Sequence, residues 1–494
     1  MSKKIILIMT DTQRSDMVSC YKNTGLKTPC IDSIAADGMR FTNAYTAQPV
    51  CGPARSAVFT GLFPHSNGVC TNSVSLCDNV KTIGQRMRDN GFRAAYIGKW
   101  HLDGGDYFGL GRCPDGWDAD YWYDMRNYLE ELPYRDRKDS RSAEAMHRRG
   151  VTDGFTFGRR CTDRAVDFIQ THTADDYLLV VSYDEPHGPS VCPEPYPSMY
   201  ENYEFPVSPN VYDTLENKPE HQKVWAGAAL NEDRSGVKIK EKYFFGCNTF
   251  IDREIGRVYD AINRYAGDAL VIYTSDHGDF LKSHRLSGKG PAAYDEITKI
   301  PFIIKCRGIT EPGQSYGYPV SHIDITPTIL DFAGLAAPKL LQGKSLLPVL
   351  RVGRRVNEYI FIEFERYEID HDGFGGYQPM RSVYDGRYKL TVNLLSGDEL
   401  YDLTDDPYEM NNLICNGGSE TARDRLHDAL LDWQNVTRDP LRGYYWSNRA
   451  WRSGAAAPSW AYTGMTRQRE NEEYEPRQLD YDTGVEMTEA VRKK

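Results

Sequence analysis

The sequence predicts an α/β protein: a large, mostly parallel sheet flanked by helices, then a small C-terminal α+β domain with an antiparallel sheet and an extended C-terminal arm. Three observations predict it. Continuous apolar runs that end in polar residues recur up to about residue 350, helical periodicities alternate with them, and past residue 355 strand-like runs follow one another without intervening helices.

Taken in order, Ile5-Ile6-Leu7-Ile8-Met9 reads as a strand buried on both faces and ends at Asp11. A short helix-compatible run, Ser56 to Thr60, follows Cys51-Gly52-Pro53-Ala54-Arg55; Pro53 suits a first helical position and Gly61 a C-terminal stop. Residues 83–90, 162–171 and 249–263 carry helical patterns. Between them lie the strand runs 94–99, 177–184 and 269–276, with another near 300–304. Residues 322–335 and the loop to Leu350 read as the last elements of the first domain, and the basic stretch Arg351 to Arg355 as its boundary. Strands at 358–364, 380–383 and 388–395 with a helix at 419–435 follow. The expected organisation is a catalytic domain over 1–355, a small domain over 356–450 and an arm over 451–494, whose Trp451, Trp460 and Tyr462 favour docking on its own or a neighbouring subunit. A homo-oligomer held through that arm is therefore expected.

With 494 residues the chain exceeds one ordinary core. A 40% hydrophobic and 26% charged composition is that of a globular protein, and no stretch reaches the length of a membrane span. The net charge of -11 argues against a nucleic-acid partner but leaves room for a local cationic pocket. The eleven cysteines are scattered and form no C-x-x-C pair. The apolar run before Thr10 is too short for a signal peptide core, so the reading is a mature chain starting near Met1 in a reducing cytoplasm.

Polar residues collect where the strands end, the edge at which open α/β sheets bind ligands. Asp11, Asp276 and His277 would meet there, and two carboxylates at one edge call for a cation, with Thr12 a further neutral oxygen. Oxygen ligands suit Ca2+ or Mg2+; a nitrogen from His277 tilts the choice toward Mn2+ or Fe2+. Any one such Asp could instead cap a helix. Gly98-Lys99-Trp100-His101 and Gly288-Lys289-Gly290 set lysines where glycine would let the backbone approach an anion closely, although a lone lysine is usually solvated. His187, in a loop stiffened by Pro186 and Pro189, suits a general acid or a structural histidine. His284, Arg285 and Tyr294 could line the same loop region. Cys51 falls at a helix N-terminus, where a thiol is acidified and an anion is favoured; a buried structural cysteine is the alternative.

Together these residues resemble the formylglycine-dependent sulfatases of the alkaline-phosphatase-like fold. The likeness runs from Met9-Thr10-Asp11-Thr12-Gln13-Arg14 through the pentapeptide at Cys51, Gly98 to Leu102, Tyr183 to His187 and Thr274 to Gly278, to Glu399 to Leu403 with Asp406-Pro407. It is nearest to a group of uncharacterised bacterial sulfatases sharing Thr12, the stretch from Tyr367 to Gly376 and the long arm. The resemblance implies hydrolysis of a sulfate monoester and a Cys51 converted to formylglycine by a separate maturation enzyme. It implies a divalent metal, Ca2+ first with Mg2+ or Mn2+ as alternatives, held by Asp11, Thr12, the converted Cys51, Asp276 and His277. Arg55 and Lys99 would hold the hydrated aldehyde. Lys99 and Lys289 would neutralise sulfate, His187 with Lys289 would protonate the alcohol, and His101 would take a proton so that sulfate leaves. Many relatives carry Asp or Gln where this chain has Thr12, which leaves Gln13 as a possible substitute ligand.

A phosphonate or phosphate ester hydrolase of the same superfamily is the nearest rival, and a non-catalytic binding protein with unmodified Cys51 the second. For the substrate mouth the expected residues are Arg366, Tyr367, His371, Asp372 and Arg381 from the small domain, with Asp103, Asp106, Trp122 and Arg126 from the large one. A small sulfated carbohydrate, or an aryl or alkyl sulfate, is the expected substrate, the abundant Tyr and Trp suiting sugar rings or the domain interface.

Overall fold

A computed structural model describes residues 2–368, 377–452, 455 and 483–485. His371, Asp372, Trp460, Tyr462 and nearly all of the expected arm lie outside the described residues.

The main sheet has seven strands: β1 (Lys4–Asp11), β2 (Met39–Phe41), β3 (Arg93–Gly98), β4 (Tyr177–Pro186), β5 (Leu270–Ser275), β6 (Phe302–Lys305) and β7 (Gln314–Tyr316), in the order β3-β4-β1-β5-β6-β2-β7. The pairings β3·β4, β4·β1, β1·β5 and β2·β7 are parallel, whereas β6 runs antiparallel to both β5 and β2. The apolar runs are continuous because both faces are covered. Ile5, Leu7, Met9, Leu178, Val180 and Ile272 enter one core, while Ile6, Ile8, Leu179, Val181, Val271 and Tyr273 enter the other. The second core is closed by two amphipathic helices, Phe157–Thr171 and Lys242–Tyr265, through Phe168, Ile169, Ile255 and Ile262.

Parallel pairing fixes which strand ends meet. Thr10 stands opposite Ser275, Asp11 opposite Pro186, and Gly98 opposite Ser182. Gly98 has φ +124°, and a Cβ there would fall 1.9 Å from the Ser182 carbonyl oxygen. The glycine of this motif therefore makes room for the neighbouring strand, not for a ligand as expected from sequence.

A helix at Cys51–Thr60, α1, is buried along its whole length. It starts at Cys51, two residues before the position that Pro53 suggested, because Val50 is the cap and Ala54 N donates to Val50 O (2.9 Å). Pro53 falls within the first turn, where a missing N–H costs little. Gly61 ends the helix in the left-handed region at φ +68°.

Four antiparallel strands, β8 (Ile360–Arg366), β9 (Tyr377–Tyr384), β10 (Tyr388–Asn393) and β11 (Glu399–Asp402), form the second sheet in sequence order. The helix Glu420–Thr437 covers one face with Leu426, Leu430 and Leu431. The two sheets are joined by an apolar seam in which Trp433 stacks on Phe361 (4.7 Å) and meets Phe63 edge-on (4.9 Å). Trp451 docks on its own chain: its Nε1 donates to Asp398 Oδ2 (2.8 Å) and its ring meets His427.

Arg381, expected at the substrate mouth, is instead fully buried in the second sheet. It pairs with Asp439 (2.7 Å) and Glu365 (2.8 Å) and donates to the Phe364 and Met380 carbonyls. A buried charge is tolerable only with such partners. Arg381→Ala, which strands Asp439 and Glu365, should destabilise the protein by about 3–5 kcal/mol, measured as a lowered chemical-denaturation midpoint. A mouth-lining arginine would alter KM and leave that midpoint alone.

Candidate active site

Asp11 ends β1, Asp276 and His277 follow β5, and α1 points its N-terminus with Cys51 at them. Ligand atoms of Asp11, Cys51, Asp276 and His277, all buried, lie within 4.8 Å of one another. Arg55, one turn along α1, donates from Nη2 to Asp11 Oδ2 (2.9 Å) and lies 3.2 Å from Asp276 Oδ2. Its Nη1 donates to Lys99 O (2.8 Å) and Ser182 Oγ (2.6 Å), so one guanidinium ties α1 to β1, β3, β4 and β5.

Lysines enter from two sides. Lys99 Nζ lies 2.8 Å from Asp11 Oδ2 and donates to Asp184 Oδ1 (2.9 Å), while Lys289 Nζ donates to Cys51 Sγ (2.7 Å) and sits 2.9 Å from His277 Nε2. His277 Nδ1 is 2.9 Å from Gly278 O and Nε2 is 3.3 Å from Cys51 Sγ. Donation from Nδ1 to that carbonyl turns the Nε2 lone pair toward the cluster. Thr12, at φ +61°, donates from its hydroxyl to Asp11 Oδ1 (2.7 Å) and from its N–H to Asp276 Oδ1 (3.1 Å). The Gln13 carboxamide is held by Tyr273, Thr10 and Asn248.

Electrostatics follow from these contacts. Burial raises the proton affinity of Asp11, but Lys99, His187, Arg55 and Lys289 outweigh it and hold the carboxyl well below the ordinary range. Asp276 goes the other way: burial and the neighbouring Asp11 push it up to about 7. Burial and Asp11 oppose ionisation of Cys51, yet Lys289, Lys99 and His277 bring the thiol well below its usual value. Burial, then Lys99, lower His187 to about 4.

The remaining candidates divide. His187 joins the cluster through Tyr107, whose hydroxyl lies 2.8 Å from its Nδ1. His101, at φ +59°, is buried with Nδ1 unpartnered; its carbonyl lies 3.5 Å from where a Cβ on Gly52 would be, beside Cys51. Arg366 is half-buried at the end of β8, and Tyr367 after it accepts from Asn72 N and Thr71 Oγ1 (3.1 Å each) while its hydroxyl feels the charge of Lys289. Trp122 is half-buried and packs on Tyr96 and Trp100 in an aromatic cluster. Arg126 pairs with both oxygens of Asp106 (2.7 and 2.8 Å), and Asp103 accepts from Gly105 N and Leu110 N, so these three knit one loop together. His284 pairs with Asp213 (2.7 Å) and stacks on Tyr294 (3.8 Å), and Arg285 donates to the carbonyls of Asp213, Ala229 and Glu232; all three brace the loop that carries Lys289. Sequence reasoning missed Tyr107, Asn72 and Ser182, which stand in no recurring motif.

The sulfatase family model matches residues 3–335, which includes every residue of this cluster, and a model of the C-terminal part of N-sulphoglucosamine sulphohydrolase matches 285–436. The chain belongs to the sulfatase family. This sulfatase is 43% identical over 487 residues to the uncharacterized sulfatase YidJ of Escherichia coli K12, covering 97% of this chain and 96% of the relative. It is 25% identical to an N-acetylglucosamine-6-O-sulfatase of Bacteroides thetaiotaomicron, with 88% and 87% covered. Among solved structures, the phosphonate monoester hydrolase of Agrobacterium radiobacter superposes with a TM-score of 0.73 at 22% identity, covering 90% of this sulfatase and 97% of the other chain.

The donor set fits a hard divalent cation. Two buried carboxylates face each other, and Asp276 Oδ2 makes no hydrogen bond although it is buried. Asp276 is pushed up to about 7 in the fold from its ordinary value of 3.8, so the metal-free fold loses stability as pH rises through that window. A cation that replaces the proton should restore it. Ca2+ or Mn2+ at one fixed concentration, about a hundredfold over its Kd at pH 8, should stabilise the protein by roughly 2.7 kcal/mol there, with a smaller rise in Tm at pH 6, where the proton competes. Asp276→Asn should remove both the rise and its pH dependence.

Proposed function

We propose that this sulfatase hydrolyses a sulfate monoester, on a small sulfated carbohydrate in the first instance, with residue 51 acting as formylglycine. The observation that carries the reading is the position of Cys51: at the N-terminus of a buried helix, 2.7 Å from Lys289 and beside the Asp11, Asp276 and His277 donors. Formylglycine there would supply a hydrated aldehyde as nucleophile, and Asp11, Asp276 and His277, with Thr12 beside them, would hold a divalent cation whose charge would favour the ionised form.

The chain's own groups supply the rest. Arg55 keeps two carboxylates side by side, so the donor set is assembled before any ligand arrives. Lys99 and Lys289, both buried and cationic, neutralise the sulfuryl oxygens as charge moves onto them. Partial burial and the charges of Lys99 and Lys289 lower His187 to about 4, so it is neutral in the free protein. An anion between those lysines offsets their repulsion of a proton, so His187 becomes protonated when substrate is bound and can then deliver that proton to the leaving oxygen. His101, with its unpartnered Nδ1, is the group assigned to accept a proton when sulfate is released. The sugar as leaving group is supported by the N-acetylglucosamine-6-O-sulfatase relative and by aromatic rings at Tyr107, Phe108 and Tyr367.

Protein produced with a formylglycine-generating maturation enzyme should carry formylglycine at position 51 by peptide mass spectrometry. Its kcat/KM should be higher for sulfate monoesters than for matched phosphonates and phosphodiesters, and Cys51→Ala should lose at least about a thousandfold. A preference for phosphonates would transfer the same residues to the rival activity. An intact thiol in fully active protein would end the formylglycine mechanism.

A further inference from the structure

Tyr107 stands outside every motif in the sequence. It lies between the Gly98 to Leu102 stretch and the helix that starts at Met125, on the loop braced by Asp103, Asp106 and Arg126. Its ring is fixed by Phe108 edge-on (5.4 Å), His101 (5.7 Å), the Arg141 guanidinium (5.6 Å) and Lys99 Nζ (4.1 Å from the centroid). Its hydroxyl meets three groups at once. It donates to Asp184 Oδ1 (2.5 Å), accepts from Lys99 Nζ (3.1 Å) and lies 2.8 Å from His187 Nδ1.

One hydroxyl has one proton, and Asp184 takes it. Toward His187 the Tyr107 oxygen is then an acceptor, as is the Gly188 carbonyl, 2.8 Å from the same Nδ1. Nδ1 must be the donor, which leaves Nε2 as the nitrogen that exchanges a proton. We propose that Tyr107 is a positioning residue for His187: its hydroxyl links Nδ1 to the Asp184 carboxylate and so fixes Nε2 as the acid that serves the departing oxygen. This rests on the ester-hydrolysis reading above. In the step itself an oxygen of the hydrated residue-51 aldehyde forms a bond to sulfur while the sulfur–oxygen bond to the alcohol breaks with its electron pair on the alcohol oxygen; the Nε2 proton moves to that oxygen, and His187 returns to its neutral Nδ1–H form. Tyr107 and Asp184 keep their protonation states. Asp184 acts through the hydroxyl, stabilising the imidazolium before the transfer.

The test is Tyr107→Phe, which keeps the ring, in protein matched to wild type for formylglycine content by mass spectrometry and for fold by thermal melting. Across sulfate esters of graded leaving-group acidity, kcat/KM should fall by about 30-fold or more for an alkyl sulfate and by less than about 3-fold for 4-nitrophenyl sulfate, a fraction of what a general acid supplies. In a His187→Ala background the same substitution should add no leaving-group dependence. A uniform loss would assign Tyr107 to holding Lys99 or the loop, and that result, or no loss, overturns the proposal. If wild type turns over phosphonate monoesters and no sulfate, the sulfate reading fails by itself. The same leaving-group series run as phosphonates then decides the role of Tyr107.

Discussion

The clamp that Arg55 makes on Asp11 and Asp276 is the interaction on which this centre depends. Parallel pairing of β1 and β5 brings the two carboxylates to one edge with no exposure to solvent. Two like charges in a dry interior would drive each other to protonate, and the rise of Asp276 to about 7 beside a strongly acidic Asp11 is that conflict expressed. Arg55 moderates it from within α1. Because the same guanidinium donates to Lys99 O and Ser182 Oγ, the position of the helix that carries Cys51 is locked to the β3 and β4 ends as well.

Around this clamp the charges are nearly balanced, and balance makes the site responsive. Asp11, Asp184 and Asp276 oppose Arg55, Lys99 and Lys289, all buried. A chain of net charge -11 thereby holds a pocket with lysines on two sides of one thiol. Adding an anion removes the repulsion that keeps His187 neutral, and adding a cation removes the repulsion between Asp11 and Asp276. The second sheet closes the arrangement from outside by bringing Tyr367 to Asn72 and Thr71 and to the field of Lys289.

Much of this was legible in the sequence because strand runs buried on both faces end where the backbone turns polar. Asp11, Lys99, His187, Asp276 and His277 all follow such runs, and the structure brings them to the same edge as Cys51. Arg381 misled because polar character in a glycine-rich segment suits a mouth as well as a buried ion pair. Gly98 was read for the wrong neighbour, since what approaches it is the Ser182 backbone. Tyr107 left no trace in the sequence, because its importance lies in three partners, Lys99, Asp184 and His187, that only the folded loop brings to it.

The sequence by itself determined the class of fold, the long buried strands and the main amphipathic helices, the family resemblance and the residues that could bear chemistry, because periodicity and strand-terminal polarity are local properties of the chain; the short strands Met39–Phe41, Gln314–Tyr316 and Glu399–Asp402 carried too little pattern to be read. Tertiary structure decided the rest: which carboxylate is acidic and which holds its proton, that burial and the lysines lower the proton affinity of His187, that the side chains of Gln13 and Arg381 are taken up by other partners, and that Tyr107 joins the site. Those properties depend on distances of a few ångströms between residues far apart in the chain, 264 positions for Thr12 and Asp276, set by strand register and helix packing. No local pattern encodes them.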